Sequence, residues 1–367
     1  MPPEPIPPQG KQPAGAPTIR TTVSLPPDVA LVLGGGNALG AYLAGACDHL
    51  LTRGITPGRI VGASIGAVTG ALIAGNPPAL RGPRLREFWA EAAVHTAAAP
   101  GEPLKLRQIY NGLHSTFAAL AGRPSIFRHR FPGLWSALPW MPNDTALYDL
   151  APLRRTLERL VDFDRLNRGD IDLSVCAVDL ETGDEVVFRT GRDVIGPAHI
   201  LASAAIPPAF PPVEIDGRLL CDPGYTNNVP IDLVLAEPPE RDLLCIAVEL
   251  FSLRAPRPRS LDAVLERAHD LVFASATRRT VAALRREYAL RQRLAPEAAH
   301  ATLLHLAYRA GLDEVAAKTL DFSPASIRDR WEAGRRDMER GLARLREAGP
   351  TADHLRYLPV DGSHVPG

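Results

Sequence analysis

Residues 29–33, VALVL, form a short apolar run rich in branched side chains that stops at Gly34-Gly35-Gly36. A run of this length with no polar interruption predicts a strand buried on both faces, and the glycines mark the turn that ends it. Residues 38–53 switch to a helical spacing of apolar positions, with Gly54 placed as a C-cap. The alternation then repeats: a strand at 59–61, a turn at 62–66, and a small-residue helix at 67–74 stopped by Gly75-Asn76-Pro77-Pro78. Strand, helix, strand, helix at this density predicts an α/β fold with a mostly parallel sheet.

Between 81 and 147 the pattern changes. Helical spacing at 85–98 and 104–120 gives way to an aromatic, proline-rich run, FPGLWSALPWMPN. Set between sheet elements, 81–147 reads either as a lid or cap insertion or as a peripheral helical layer with core aromatics. Regular spacing resumes with a helix at 153–161 and strands at 173–178 and 185–188 around Thr182-Gly183-Asp184. A helix at 199–205 follows, ended by Pro207-Pro208. Asp216-Gly217, between 213–215 and 218–220, is a two-residue hairpin signal. Residues 243–250, LLCIAVEL, give one more buried strand. Beyond Phe251, arginine-rich helices are predicted at 260–294 and 326–348, around a strand at 301–306. The pattern divides the chain into an arm (1–27), an α/β domain (28–250), a mainly helical extension (251–348) and an irregular tail (349–367).

Composition narrows the class. Over 367 residues, 46% hydrophobic and 22% charged side chains suffice for a sizeable core. The 41 basic and 41 acidic residues cancel, so no global field draws the chain to nucleic acid, which is not an expected partner. Cys47, Cys176, Cys221 and Cys245 lie far apart, without metal-site spacing or disulfide density; no metal and no cofactor are expected, and a reducing compartment is. The opening MPPEPIPPQGKQPAGAP lacks the basic start and apolar core of a signal peptide and reads as a disordered arm. Residues 29–47 and 60–80 are uncharged and approach the roughly 20 residues of a membrane span. Glycines break both, and a strand, a turn and a helix explain each better. A soluble, cytoplasmic protein is the expectation.

Candidate chemistry sits at the first two turns. VGASIGAVTG contains G-x-S-x-G as Gly62, Ser64 and Gly66. With a strand before and a helix after, this is the arrangement of a nucleophile elbow, where a sharp turn lifts the serine oxygen above the sheet and the helix N-terminus favours nearby negative charge. A glycine-rich strand-to-helix turn without chemistry is the plainer reading. The loop Gly34-Gly35-Gly36-Asn37, with Gly40 beyond it, offers backbone N–H donors for an oxyanion. It departs from the dinucleotide fingerprint G-x-G-x-x-G, because Leu39 falls sixth from Gly34 and Asn37 third from Gly35. For a base, the order Ser, Asp, His would call on His269, His300, His305, His354 or His364, none set in a marked loop. Asp222 is the other choice: it follows the strand 218–220 at a Pro223-Gly224 turn, with Asn227 and Asn228 placed to satisfy nearby backbone groups. Asp-Pro-Gly is also ordinary turn chemistry.

In this order, the glycine loop, the serine elbow and the distant aspartate resemble the patatin-like phospholipase family. The resemblance extends through Ala202-Ser203-Ala204-Ala205-Ile206-Pro207 and Asn227-Asn228-Val229-Pro230 and covers about 29–250. The C-terminal helices are similar to an extension in one bacterial subgroup. The resemblance implies a three-layer sandwich around a mostly parallel sheet and a lipid or other acyl-ester substrate. It implies a Ser64–Asp222 dyad without histidine, with an oxyanion held by the amides of Gly35, Gly36 and Asn37. Three residues depart from the family pattern. Asn37 stands where the loop usually has glycine, and asparagine tolerates positive φ. Leu39 stands where many relatives carry a basic residue, a small change because the loop's donors are backbone groups. Pro223 replaces the glycine after the aspartate, fixing φ near about −65° and removing an N–H. If Asp222 is displaced, the alternative is a catalytically weak or silent patatin-fold binding or scaffold protein. Between Phe251 and His300 ten arginines outnumber five acids, which reads as a peripheral membrane contact, a solvated face or an oligomer contact.

Overall fold

β1 (Asp28–Leu33) sends Val29, Leu31 and Leu33 into one apolar cluster and Ala30 and Val32 into another. That split is the period-two consequence of a strand covered on both faces. In this computed structural model, which describes residues 26–93, 104–349 and 351–361, the chain runs on through α1 (Gly40–Thr52), β2 (Arg59–Ala63), α2 (Ile65–Ala74), α3 (Pro78–Ala92) and α4 (Leu104–Ala121). The middle of the chain holds β3 (Arg128–His129), β4 (Tyr148–Asp149), α5 (Ala151–Leu160), α6 (Phe163–Arg168), β5 (Asp172–Asp179), β6 (Glu185–Arg189) and α7 (Pro197–Ala204). It ends with β7 (Val213–Ile215), β8 (Arg218–Cys221), α8 (Asp232–Leu235), β9 (Leu243–Glu249), α9 (Leu261–Leu294), β10 (Ala301–Ala307), α10 (Pro324–Glu347) and β11 (Leu355–Asp361).

Among the described residues the main sheet has nine strands in the order β11-β10-β9-β1-β2-β5-β8-β7, with β6 also on β5. From β11 to β5 every pairing is parallel, whereas β6, β7 and β8 pair antiparallel. Side chains of α1, α2, α3, α5, α7 and α10 pack on one face, and α8 with Val281, Leu284 and Tyr288 of α9 covers the other. The mostly parallel three-layer α/β architecture is therefore as expected, helices of the C-terminal region included.

Several boundaries differ from expectation. The turn placed at 62–66 shrinks to Ser64, because β2 continues to Ala63 and α2 begins at Ile65. The helix expected at 85–98 begins earlier and runs Pro78–Ala92, opened by Pro78 at its first turn where a missing N–H costs nothing, and residues 94–98 lie outside the described residues. The tail expected from 349 is corrected: Leu355–Asp361 forms β11, parallel to β10. Together β10 and β11 extend the same sheet as β1. Most of the N-terminal arm, and His364, lie outside the described residues. No helix among the described residues is long and apolar enough to cross a membrane.

Candidate active site

The chain reverses at a single residue. Ser64 joins β2 to α2 with φ 55° and ψ −124°, a sparsely populated conformation for a non-glycine residue that costs about 1–3 kcal/mol and persists only where neighbours enforce it. Ser203, fully buried on α7, accepts the Ser64 N–H at 2.9 Å. The Ser64 carbonyl accepts from Ala67 (2.9 Å) and Val68 (3.2 Å) as α2 begins. Both motif glycines are dictated by packing: a Cβ on Gly66 would lie 2.0 Å from the Leu33 carbonyl oxygen, and one on Gly62 2.6 Å from the Ala67 nitrogen. The strand, the tight turn and the helix read from the sequence are all present.

Asp222 follows β8 and anchors its own N–H on the Ala205 carbonyl at 3.1 Å. Its carboxylate accepts the Gly224 N–H at 2.8 Å, and the Ser64 hydroxyl lies near enough to favour its ionised form. Pro223 opens a short 3-10 turn, Pro223–Tyr225, at the first position, where no N–H is needed and a fixed φ fits. Pro223 is thus accommodated by the turn, with Asp222 as the residue that caps it. On α9, Phe273 stacks on Phe251 (4.7 Å between ring centres) and on Tyr225 (5.4 Å), roofing the turn. Asp222 is left 3% exposed. Burial pushes its carboxyl up to about 7, although the Ser64 hydroxyl and the Gly224 N–H pull the other way.

The glycine loop lies against the serine. Gly34 donates to the Val248 carbonyl at 3.0 Å, tying the loop to β9. Gly35 departs from the role expected of it: its N–H is spent on Asn228, on the carbonyl at 3.3 Å and on Oδ1 at 3.2 Å. Asn228 Nδ2 donates back to the Gly35 carbonyl at 3.3 Å. What Gly35 supplies is room, since a Cβ there would sit 2.9 Å from Ser64 Cβ. Asn37 takes φ 50°, as asparagine can. The N–H groups of Gly36 and Asn37 have no intramolecular acceptor among the described residues, so they are the loop's unspent donors. Gly40 opens α1, pressed on Ile65. Among the described residues, no three histidine, cysteine, aspartate or glutamate side chains are grouped to hold a metal.

The structure thus brings Ser64, Asp222 and the 34–37 loop to one end of the sheet, beyond the carboxyl ends of β1 and β2. Three of the candidate histidines are placed elsewhere. His300 and His354 precede β10 and β11 and so sit at the opposite end. His305 Nε2 lies 3.1 Å from Glu249 Oε2, and its Nδ1 3.0 Å from the Tyr357 hydroxyl. Ser203 and Phe273 have no assigned role in the sequence reading. Ser203 stands inside the ASAAIP segment that carries the resemblance, whereas nothing local announces Phe273.

Comparison with known proteins follows the same lines. The family described as patatin-like phospholipase matches residues 31–235, and a second, described as patatin phospholipase, matches 278–353. A patatin-like phospholipase domain-containing protein of Caenorhabditis elegans is 28% identical over 210 residues, 56% of this chain and 12% of that protein. An NTE family protein of Mycobacterium bovis is 31% identical over 215 residues, 58% of this chain and 47% of that protein. The chain therefore spans less than half the length of these relatives. Among solved structures, VipD from Legionella pneumophila aligns with a TM-score of 0.36 at 13% identity, over 84% of this chain and 67% of that one. The type III effector ExoU aligns with a TM-score of 0.35 at 13% identity, over 87% and 54%. Because the match at residues 31–235 takes in more than half of the 367 residues, the chain belongs to the patatin-like phospholipase family.

Proposed function

We propose that this chain is a serine acyl-ester hydrolase acting on lipid esters, with Ser64 as nucleophile and Asp222 as its base. What supports the reading is Ser64, held in a strained strand-to-helix turn, beside the buried carboxylate of Asp222. Asp222 takes the hydroxyl proton as Ser64 Oγ attacks the ester carbonyl. The oxyanion sits against the N–H groups of Gly36 and Asn37, near the N-terminus of α2. Asp222 then returns the proton to the leaving alcohol oxygen. In the second half, water gives a proton to Asp222, attacks the acyl-serine and releases the acid, and Ser64 is restored. Four unpaired, buried cysteines suit a reducing, cytoplasmic setting for this chemistry, and peripheral contact with the lipid surface completes the reading.

A fluorophosphonate probe tests the nucleophile. The expected result is one adduct, on the peptide that carries Ser64, lost in Ser64→Ala together with hydrolysis of short nitrophenyl esters. Hydrolysis that survives Ser64→Ala sinks the proposal.

The silent-scaffold reading rests on Pro223, and the turn geometry argues against it. Pro223→Gly should leave ester hydrolysis unchanged and lower stability by about 0.4–1 kcal/mol through a freer unfolded chain. A large gain in hydrolysis would reinstate the scaffold reading; denaturant melts and a rate assay on the same sample check both halves.

A further inference from the structure

Helix α4 is packed inside out. The side chains it turns toward the protein include Asn111, His114 and Ser115, whereas Leu106, Ile109, Leu113, Phe117 and Leu120 form an outward stripe at helical spacing. Leu113 is 66% exposed and Leu120 72%. In the loop that follows β3, Phe131, Leu134, Trp135 and Trp140 are also exposed, Trp140 by 76%. Scattered apolar side chains on a surface are ordinary; a continuous stripe backed by polar packing is a face that water does not normally cover.

Both pieces hang on backbone next to the site. α4 is tied to the segment leaving the carboxyl end of β10 by Gln108 Nε2 to the Leu312 carbonyl (2.8 Å) and Asn111 Nδ2 to the Asp313 carbonyl (2.9 Å). The aromatic loop rejoins the protein where Leu147 and Tyr148 donate to Pro208 (3.1 Å) and Ala209 (2.9 Å). Just before them in the chain, Ala205 holds the Asp222 N–H. The apolar face therefore lies at the end of the sheet that carries Ser64.

Charge says what covers it. Residues 104–142 contain no aspartate or glutamate, against Lys105, Arg107, Arg123, Arg128 and Arg130. Arg107, Arg128 and Arg130 pair with acids from elsewhere in the chain. Arg123 does not. It is 3% exposed, its Nε and Nη2 have no hydrogen-bond partner among the described residues, and its guanidinium lies over the Phe117 ring at 5.5 Å. Arg123 lines a cavity of about 600 Å³ together with Phe117, Ser125 and Thr156; Glu91 on its wall is paired with Arg159. A buried guanidinium without an acceptor is costly, and an arriving anion removes the cost.

We infer that the α4 stripe and the aromatic loop form a docking surface for an anionic phospholipid bilayer, with Arg123 receiving a headgroup phosphate in the adjoining cavity. The inference rests on the reading of the site as a lipid ester hydrolase, for which the surface brings the substrate to the Ser64 end. Tryptophan and phenylalanine enter the interfacial region of a bilayer, and a guanidinium beside them meets the phosphate.

The test uses the full chain with vesicles of phosphatidylcholine, alone or with phosphatidylglycerol. The chain should co-sediment with the anionic vesicles and its tryptophan emission should shift to shorter wavelength. Trp135→Ala/Trp140→Ala should weaken binding by about tenfold or more and remove the shift. Arg123→Gln should erase most of the preference for anionic over neutral vesicles without lowering the melting temperature, a combination that a purely structural arginine would not give. All variants should hydrolyse a soluble short-chain ester as the parent does. Absence of vesicle binding, or binding unchanged in the variants, overturns the inference. So does a concentration-dependent dimer that shields the tryptophans without lipid, because the face then belongs to a second copy. A parent chain that binds vesicles but hydrolyses no ester supports the surface and overturns the reading of the site.

Discussion

Asp222→Asn is expected to lower ester hydrolysis by about 10²–10⁴-fold, the usual worth of a positioned general base, and to make the fold more stable above neutral pH. The asparagine keeps the shape and can still accept from Gly224, so the loss is chemical. In the parent, burial holds the Asp222 carboxyl at about 7. Only the ionised form accepts the serine proton, so kcat/KM should rise with pH through about 7 and level off above it. Stability should move in the opposite direction. A carboxyl whose folded value is raised from 3.8 binds its proton more tightly in the native state. Its stabilising contribution is therefore complete below about 4 and is lost as pH climbs to about 7. The asparagine variant escapes that loss, and melting curves at pH 5 and pH 8 should show the gap between variant and parent widening toward the higher pH. An active asparagine variant would remove Asp222 as base, whereas a rising limb near pH 4 would remove the shift that burial imposes on it.

Stored strain and buried charge converge on this site, and they explain why its outline was legible in the sequence while its tuning was not. G-x-S-x-G and the glycine loop are local: Gly66 must be glycine because the Leu33 carbonyl occupies the place of its side chain, so the motif itself reports the packing. Phe273, which covers the turn after Asp222, comes from many residues away on α9, and no periodicity states which face of an arginine-rich helix meets that turn. Gly35 was misassigned for a similar reason, since its N–H is claimed by Asn228, 193 positions later. β11 escaped because Pro359 interrupts its pattern; among the described residues it is an edge strand paired with β10 alone, and proline is tolerated there. The α4 stripe was periodic enough to give a helix, but periodicity cannot say which side faces the protein when the polar side is the one that packs.

Gly334→Ala should destabilise the whole protein by about 3 kcal/mol, the upper range for forcing atoms into a filled core, and should slow hydrolysis as well. α1 and α10 cross with their backbones in contact. A Cβ on Gly334 would meet the Tyr42 carbonyl oxygen at 2.0 Å, and one on Gly45 would meet the Trp331 carbonyl oxygen at 2.0 Å. Neither partner is a side chain that can swing aside, so the helices must separate. Separation strains the hydrogen bond from the Tyr42 hydroxyl to Asp337 Oδ2 (2.7 Å) and that from Arg330 Nη1 to the Ala38 carbonyl (3.3 Å). Ala38 follows Asn37 directly, so α10 braces the loop proposed to hold the oxyanion. If residues 251–348 were an independent appendage, the alanine would melt them alone and leave the rate on a soluble ester untouched. A sheet that runs unbroken from β11 through β1 to β7 predicts one cooperative transition, shifted down, with kcat falling alongside it. Calorimetry and a rate assay on the same variant separate the two outcomes, and two resolved transitions with full activity would make the C-terminal region a domain of its own.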